Sequence, residues 1–172
     1  MWMRVIEGSD FKRGWLIAGL SLAFGGMAVA QEGTPRVESD ITAYTITLDE
    51  EGSELRQLAD KVVPGGIIEY TLTYKNVSDE ALSDFVILGK VPEATDYDSA
   101  QNVQEVQAVF EVSVSDIGWA TPPVIRYEDD GTGILRPVEV PEEEFEALRW
   151  RLAEPITPGE AVSATYRIRV ED

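Results

Sequence analysis

An antiparallel all-β sandwich is the fold class the sequence predicts: immunoglobulin-like, with about seven strands and one short helical turn. Three observations predict it. Apolar and polar residues alternate in run after run of five to ten residues; Gly, Pro, Asn and Asp cluster between the runs; and only one stretch has helical character. A sandwich is preferred to a barrel.

Taken in order, residues 31–40, "QEGTPRVESD", hold turn formers and charges without an apolar period and are expected to form a flexible leader. The domain is expected over residues 41–172. In "ITAYTITLD" the alternation places Tyr44, Ile46 and Leu48 on one face and threonines on the other, a half-buried strand. A turn at "DEEGSE" leads to residues 55–63, whose pattern is ambiguous, with a short strand preferred to a helix. Pro64-Gly65-Gly66 then punctuates the chain, and Ile68, Tyr70, Leu72 and Tyr74 point one way while Glu69, Thr71, Thr73 and Lys75 point the other. Burying four such side chains contributes roughly 6–12 kcal/mol before entropy, which makes this strand central.

After the polar loop "NVSDE", "ALSDFVILGKV" reads as a second strand and "PEATDYDSAQN" as a loop. "VQAVFEVSVS" is a strand with Phe110, Val112 and Val114 on one face, followed by an irregular connection at Trp119 and Pro122-Pro123. "VIRYEDDGTGILRPVEV" reads as a hairpin turning at Asp130-Gly131, and Pro137 makes its strand an edge or bulged one. "PEEEFEALRW" is the helical patch: Pro141 suits a first turn, and Glu142, Glu143 and Glu144 suit its dipole. Period two resumes with Leu148, Trp150 and Leu152, and "AVSATYRIRV" closes the domain with Ala164, Tyr166, Ile168 and Val170 on one face.

The first thirty residues carry the zones of a secretory signal peptide: Lys12 and Arg13, the apolar "WLIAGLSLAF", and the small residues "AVA" ending at Ala30, after which cleavage is expected. A retained membrane anchor is the rival reading, opposed by Gly25 and Gly26 and by an apolar run shorter than the roughly 20 residues of a span. The expected destination is therefore the periplasm or cell surface, with no stable membrane span after cleavage. Residues 1–30 hold three basic and two acidic side chains, so residues 31–172 are one unit more acidic than the −18 of the whole chain. Such a field repels phosphate backbones, and nucleic acid is excluded as a partner. No cysteine means no disulfide, and no histidine removes the usual general base, the Ser-His-Asp and Cys-His arrangements and every His-based metal site.

Residues 62–97 carry a resemblance. The Pro64-Gly65 turn, the strand through Tyr70 and Tyr74, the loop from Asn76 to Asp79, the strand from Phe85 to Leu88 and the Val91-Pro92 turn resemble the conserved-repeat domain of bacterial exported and cell-surface proteins, the domain of unknown function eleven. "LRWRLAEPITPGEAVSATYRIRV" is similar to that family's closing pattern, and the resemblance covers residues 43–171. The family often occurs in tandem, whereas this chain holds one unit. The resemblance implies an immunoglobulin-like module outside the cytoplasm and no catalytic residues.

Several groups invite chemistry. Paired carboxylates run glycoside hydrolysis, but thirty acidic residues after position 30 make chance pairs common. "YEDDGTG", residues 127–133, has the composition of a calcium loop without EF-hand spacing, and a hairpin turn accounts for it. Lys61, Lys90 and Asn76 raise an internal isopeptide crosslink, and "NVS" at Asn76 matches a glycosylation acceptor but reads better as a turn. Tyr70, Tyr74, Trp119, Trp150 and Tyr166 raise a sugar platform, although for all but Trp119 the alternation indicates core. The expectation is a non-enzymatic exported module of the bacterial cell envelope, structural or protein-binding, with no catalytic, cofactor or metal residues. Its partner would be another envelope protein, met through a sheet edge or end loops. A carbohydrate-binding module, stabilised by calcium at the acidic turn, is the alternative.

Overall fold

A computed structural model of the chain describes residues 36–171, with 102, 104 and 105 excepted. The expected signal peptide and the first five residues of the expected leader lie outside these residues. Among the described residues eleven strands follow one another: β1 (Val37–Leu48), β2 (Glu54–Leu58), β3 (Ile67–Asn76), β4 (Val86–Lys90), β5 (Thr95–Gln101), β6 (Ala108–Val114), β7 (Gly118–Ala120), β8 (Ile125–Asp129), β9 (Leu135–Glu139), β10 (Phe145–Leu152) and β11 (Ala161–Val170). They form an antiparallel sandwich of a five-stranded sheet, β2-β1-β3-β11-β5, and a four-stranded sheet, β4-β10-β6-β7, with β8 and β9 as a separate ribbon. Among the described residues no helix is long and apolar enough to cross a membrane.

The expected all-β sandwich is what the chain forms, with more strands among the described residues than the seven anticipated. Its wiring is distinctive. In an immunoglobulin sandwich the fifth strand lies beside the second; here the last strand, β11, lies between β3 and β5, and β10 lies between β4 and β6. Two successive strands thus return into slots left by earlier ones, the nesting of a roll of Greek keys.

The core lies where the inner faces meet. Ile68 and Leu72 of β3 and Val162, Ala164, Tyr166 and Ile168 of β11 meet Ile87 of β4, Val112 and Val114 of β6, and Leu148 and Trp150 of β10. Aromatic rings stitch the layers: Tyr70 stacks on Tyr166 at 5.2 Å, and Trp150 lies 6.3 Å from Tyr166 across the sheets. Gly89 is required by that packing, because a Cβ there would sit 2.9 Å from the Tyr166 ring.

Three local expectations are corrected, and one is made more specific. Strand β1 begins at Val37, so residues 37–40 of the expected leader pair with the end of β3, Val37 opposite Asn76. Tyr44, Ile46 and Leu48 occupy the outer face of their sheet, in register with Glu69 and Ile67, while Ala43, opposite the core residue Tyr70, points inward. Thr95–Gln101, expected as a loop, is strand β5; Tyr97 is the anchor, 5.5 Å from Phe145, and Arg169 holds Asp98 at 2.8 Å. The expected short helical turn is the 3-10 turn Glu142–Glu144, but the rest of the patch is not helical, for Phe145 already opens β10. One turn cannot repay helix nucleation, and burial of Phe145 against Tyr97 decides for the sheet.

Candidate functional site

The residues singled out for chemistry do not converge. Tyr70, Tyr74, Trp150 and Tyr166 lie in or against the core, as alternation required, and the Tyr166 hydroxyl donates to the Lys90 carbonyl at 2.8 Å. Trp119 stands apart on β7, opposite Ser113 on the outer face of the four-stranded sheet. It is partly exposed, but the Arg149 guanidinium covers its ring 4.4 Å from the centroid. No five-membered aromatic platform is assembled.

Asn76 is fully buried at the end of β3, and its amide is committed. Nδ2 donates to the carbonyls of Glu80 at 2.7 Å and Ile156 at 2.9 Å, while Oδ1 accepts from the Ser78 amide and hydroxyl. An amide with both protons on backbone carbonyls is a turn bracket, which overturns the isopeptide idea and agrees with the turn reading of "NVS". The acidic turn is committed in the same way. Asp129 Oδ1 accepts from the Gly131 and Gly133 amides, and Asp130 accepts from Thr132 and from Arg136 Nε at 2.6 Å. The Thr132 hydroxyl, with Arg136 next, holds the Asp130 carboxyl below its usual range. Both carboxylates close the hairpin turn, the role that their spacing suggested.

Two buried carboxylates were not foreseen, and they sit on opposite outer faces. Glu69 of β3 accepts from Arg56 Nε at 2.7 Å and from Arg167 Nε at 2.8 Å, and Arg167 continues in a bidentate pair to Glu54. Register explains the cluster, since Tyr44, Glu69 and Arg167 are direct cross-strand neighbours and Arg56 lies 3.5 Å over the Tyr44 ring. An open depression of about 370 Å³ borders it, lined by Glu54, Glu69, Ser99, Thr165 and Arg167. On the other sheet Glu111 accepts from Arg149 and Arg151, and the Arg149 bond first of all holds its carboxyl below the ordinary range. A carboxylate held between two guanidiniums is a poor proton acceptor and a poor nucleophile. The two sites, one on each sheet's outer face, cannot share a substrate.

The remaining candidate is the β8–β9 ribbon. Val124 and Val140 are buried at its root, joined by a 2.8 Å backbone bond, and beyond them five residue pairs run from Ile125↔Glu139 to Asp129↔Leu135. Cross-strand partners share a face, so Ile125, Tyr127, Asp129, Leu135, Pro137 and Glu139 form one side, and Arg126, Glu128, Arg136 and Val138 the other. On the second side Arg126 turns to the body, making a bidentate pair with Glu144 at 2.7 and 3.0 Å and approaching Asp116 at 3.6 Å, while Glu128, Arg136 and Val138 are exposed. The apolar side therefore faces solvent, with Tyr127 67 % and Leu135 63 % exposed. The alternation of "VIRYED" and "ILRPVE" was legible; which side would be buried was not, because nothing local encodes that the root alone is anchored.

No family model, curated protein or solved structure matches this chain.

Proposed function

We propose that this protein is a non-enzymatic, exported module of the bacterial cell envelope that binds another protein through its surface. The single observation that carries this reading is the solvent-facing apolar side of the β8–β9 ribbon, in a chain whose buried carboxylates are neutralised internally. Large apolar groups gathered on a projecting element are the usual mark of a docking surface. The features of residues 1–30 support export, and the Pro64-Gly65, Asn76 and Val91-Pro92 turns support kinship with the conserved-repeat domain family. Immobilised protein incubated with detergent-solubilised envelope from its own cells, with mass-spectrometric readout, tests the reading. A stoichiometric protein partner is expected, together with no turnover in a broad glycan and ester hydrolase screen. Turnover in that screen, or retention of free glycans in place of a protein, overturns it.

A further inference from the structure

We infer that the outward side of the β8–β9 ribbon is a docking surface for a segment of another protein that presents apolar side chains flanked by lysine or arginine. This rests on the interaction-module reading and names the surface and the chemistry of the partner.

Three features make the ribbon a built surface. First, its amphipathicity is reversed. A hairpin beside a sandwich ordinarily turns its apolar side inward, whereas here the residue turned to Glu144 and Asp116 is Arg126, from the opposite side, and Ile125, Tyr127, Leu135 and Pro137 face out. Second, it is held in place. An isolated two-stranded ribbon is marginal in water, but the buried root, the bidentate Arg126–Glu144 pair and the Asp129 and Asp130 turn bonds fix this one. A pre-ordered face binds without the cost of ordering itself. Third, the open edge of β9 is blunted, which favours binding by the face. The bonds Val140 N to Val124 O and Asp130 N to Ile134 O make Tyr127 and Pro137 a non-hydrogen-bonded pair, so position 137 meets the open edge of β9 with a proline that has no N–H to offer a further strand.

Charge selects the occupant. Asp129 and Glu139 bracket the apolar strip on its own side, and the whole chain carries −18. A second copy would bring the same acidic rim and the same net charge, and so would be repelled. A basic partner is attracted, and Tyr127 offers a ring face to a guanidinium.

The test uses the full chain and two fluorescent peptides of about a dozen residues, one alternating Phe and Val with Lys, the other with Glu in place of Lys. The Lys peptide is expected to bind, the Glu peptide not, and rising salt to weaken binding several-fold. In the Tyr127→Ser/Leu135→Ser double variant, which keeps every charge, binding should fall about tenfold or more, whereas Leu48→Ser/Leu58→Ser should leave it unchanged. Both pairs are exposed, and matching urea midpoints confirm that the variants fold. Equal binding by the Tyr127→Ser/Leu135→Ser variant means attraction by net charge alone and overturns the assignment. Self-association that this variant abolishes also overturns it, in favour of a second copy. If envelope capture succeeds equally with wild type and this variant, the docking assignment fails and the interaction module stands; if capture yields no partner, the module itself fails.

Discussion

At residue scale, two positions show what alternation leaves unsaid. Asn76 occupies an inward position of β3, where a polar side chain is ordinarily expensive, yet it is completely buried because four partners satisfy its amide. Asn76→Ala would leave the Ser78 amide without its acceptor and strip one of two donors from each of the Glu80 and Ile156 carbonyls, which keep the Ser78 hydroxyl and the Leu82 amide, and should cost about 1–3 kcal/mol by urea unfolding. Asn76→Asp should not restore the loss, since a carboxylate offers no proton to either carbonyl; full recovery would show that the bracket matters only for shape. Gly89 works by close approach. Gly89→Ala should cost about 1–3 kcal/mol from the Cβ clash with Tyr166. In a Tyr166→Leu background the same change should cost less, a coupling that a double-mutant cycle reads directly. The glycine was visible in "VILGKV", but the ring that demands it, far along the chain on β11, was not.

At the scale of elements, the sequence was most informative where one face is buried by the opposing sheet. The inward sets of β3, β10 and β11 were legible because period two held for three or four residues and the residues were large. Strand β5 was not, since aspartates flank its single large apolar residue and its pairing depends on Arg167 and Arg169 of β11. In strand β1 the alternation put Tyr44, Ile46 and Leu48 on one face but could not say which way it points; that face is the outer one, where Arg56 covers Tyr44 and pairs with the buried Ile46. The same covering makes a testable statement about Glu69. Its carboxylate, 5 % exposed, is compensated from β2 and β11 at once. Arg167→Met, which removes the less exposed arginine and releases Glu54 as well, should destabilise by about 2–4 kcal/mol. Arg56→Met, at the wetter end, should cost less than half of that. Glu69→Gln combined with Arg167→Met should recover part of the loss, because no uncompensated charge then remains under the sheet; an additive double variant in thermal or urea unfolding would argue against the cluster acting as a unit.

For the molecule as a whole, electrostatics sets how stability responds to pH and salt. The carboxyls of Glu54, Glu111, Glu144 and Glu160 are held below their usual range, the first three chiefly by arginine bonds and Glu160 by Thr157. A depressed folded value means that stability is complete above the ordinary carboxylate range of roughly 4 and is lost as pH falls through the lower folded values. Burial, with Glu143, Asp98 and Glu139 nearby, raises Glu142, which alone acts in the opposite sense. At the alkaline end burial lifts Tyr97 to about 12, so its contribution is complete below about 10 and is lost as pH rises through the folded value. With no histidine between these limits, unfolding free energy should be flat from about pH 6 to 8 and fall below about 4. Salt distinguishes two opposing terms at neutral pH. Ion pairs between exposed groups contribute at most about 1 kcal/mol each, whereas 32 acidic against 14 basic residues leave a large unpaired excess whose mutual repulsion extends over a Debye length of about 10 Å at 0.1 M. Repulsion should dominate, so raising sodium chloride from about 0.02 to 0.5 M at pH 7 should lift the melting temperature by about 3–6 °C, equivalent to about 1–2 kcal/mol. The reverse sign, a melting temperature that falls with salt, would mean that the arginine-bracketed clusters, each tying strands within one sheet, outweigh the excess charge.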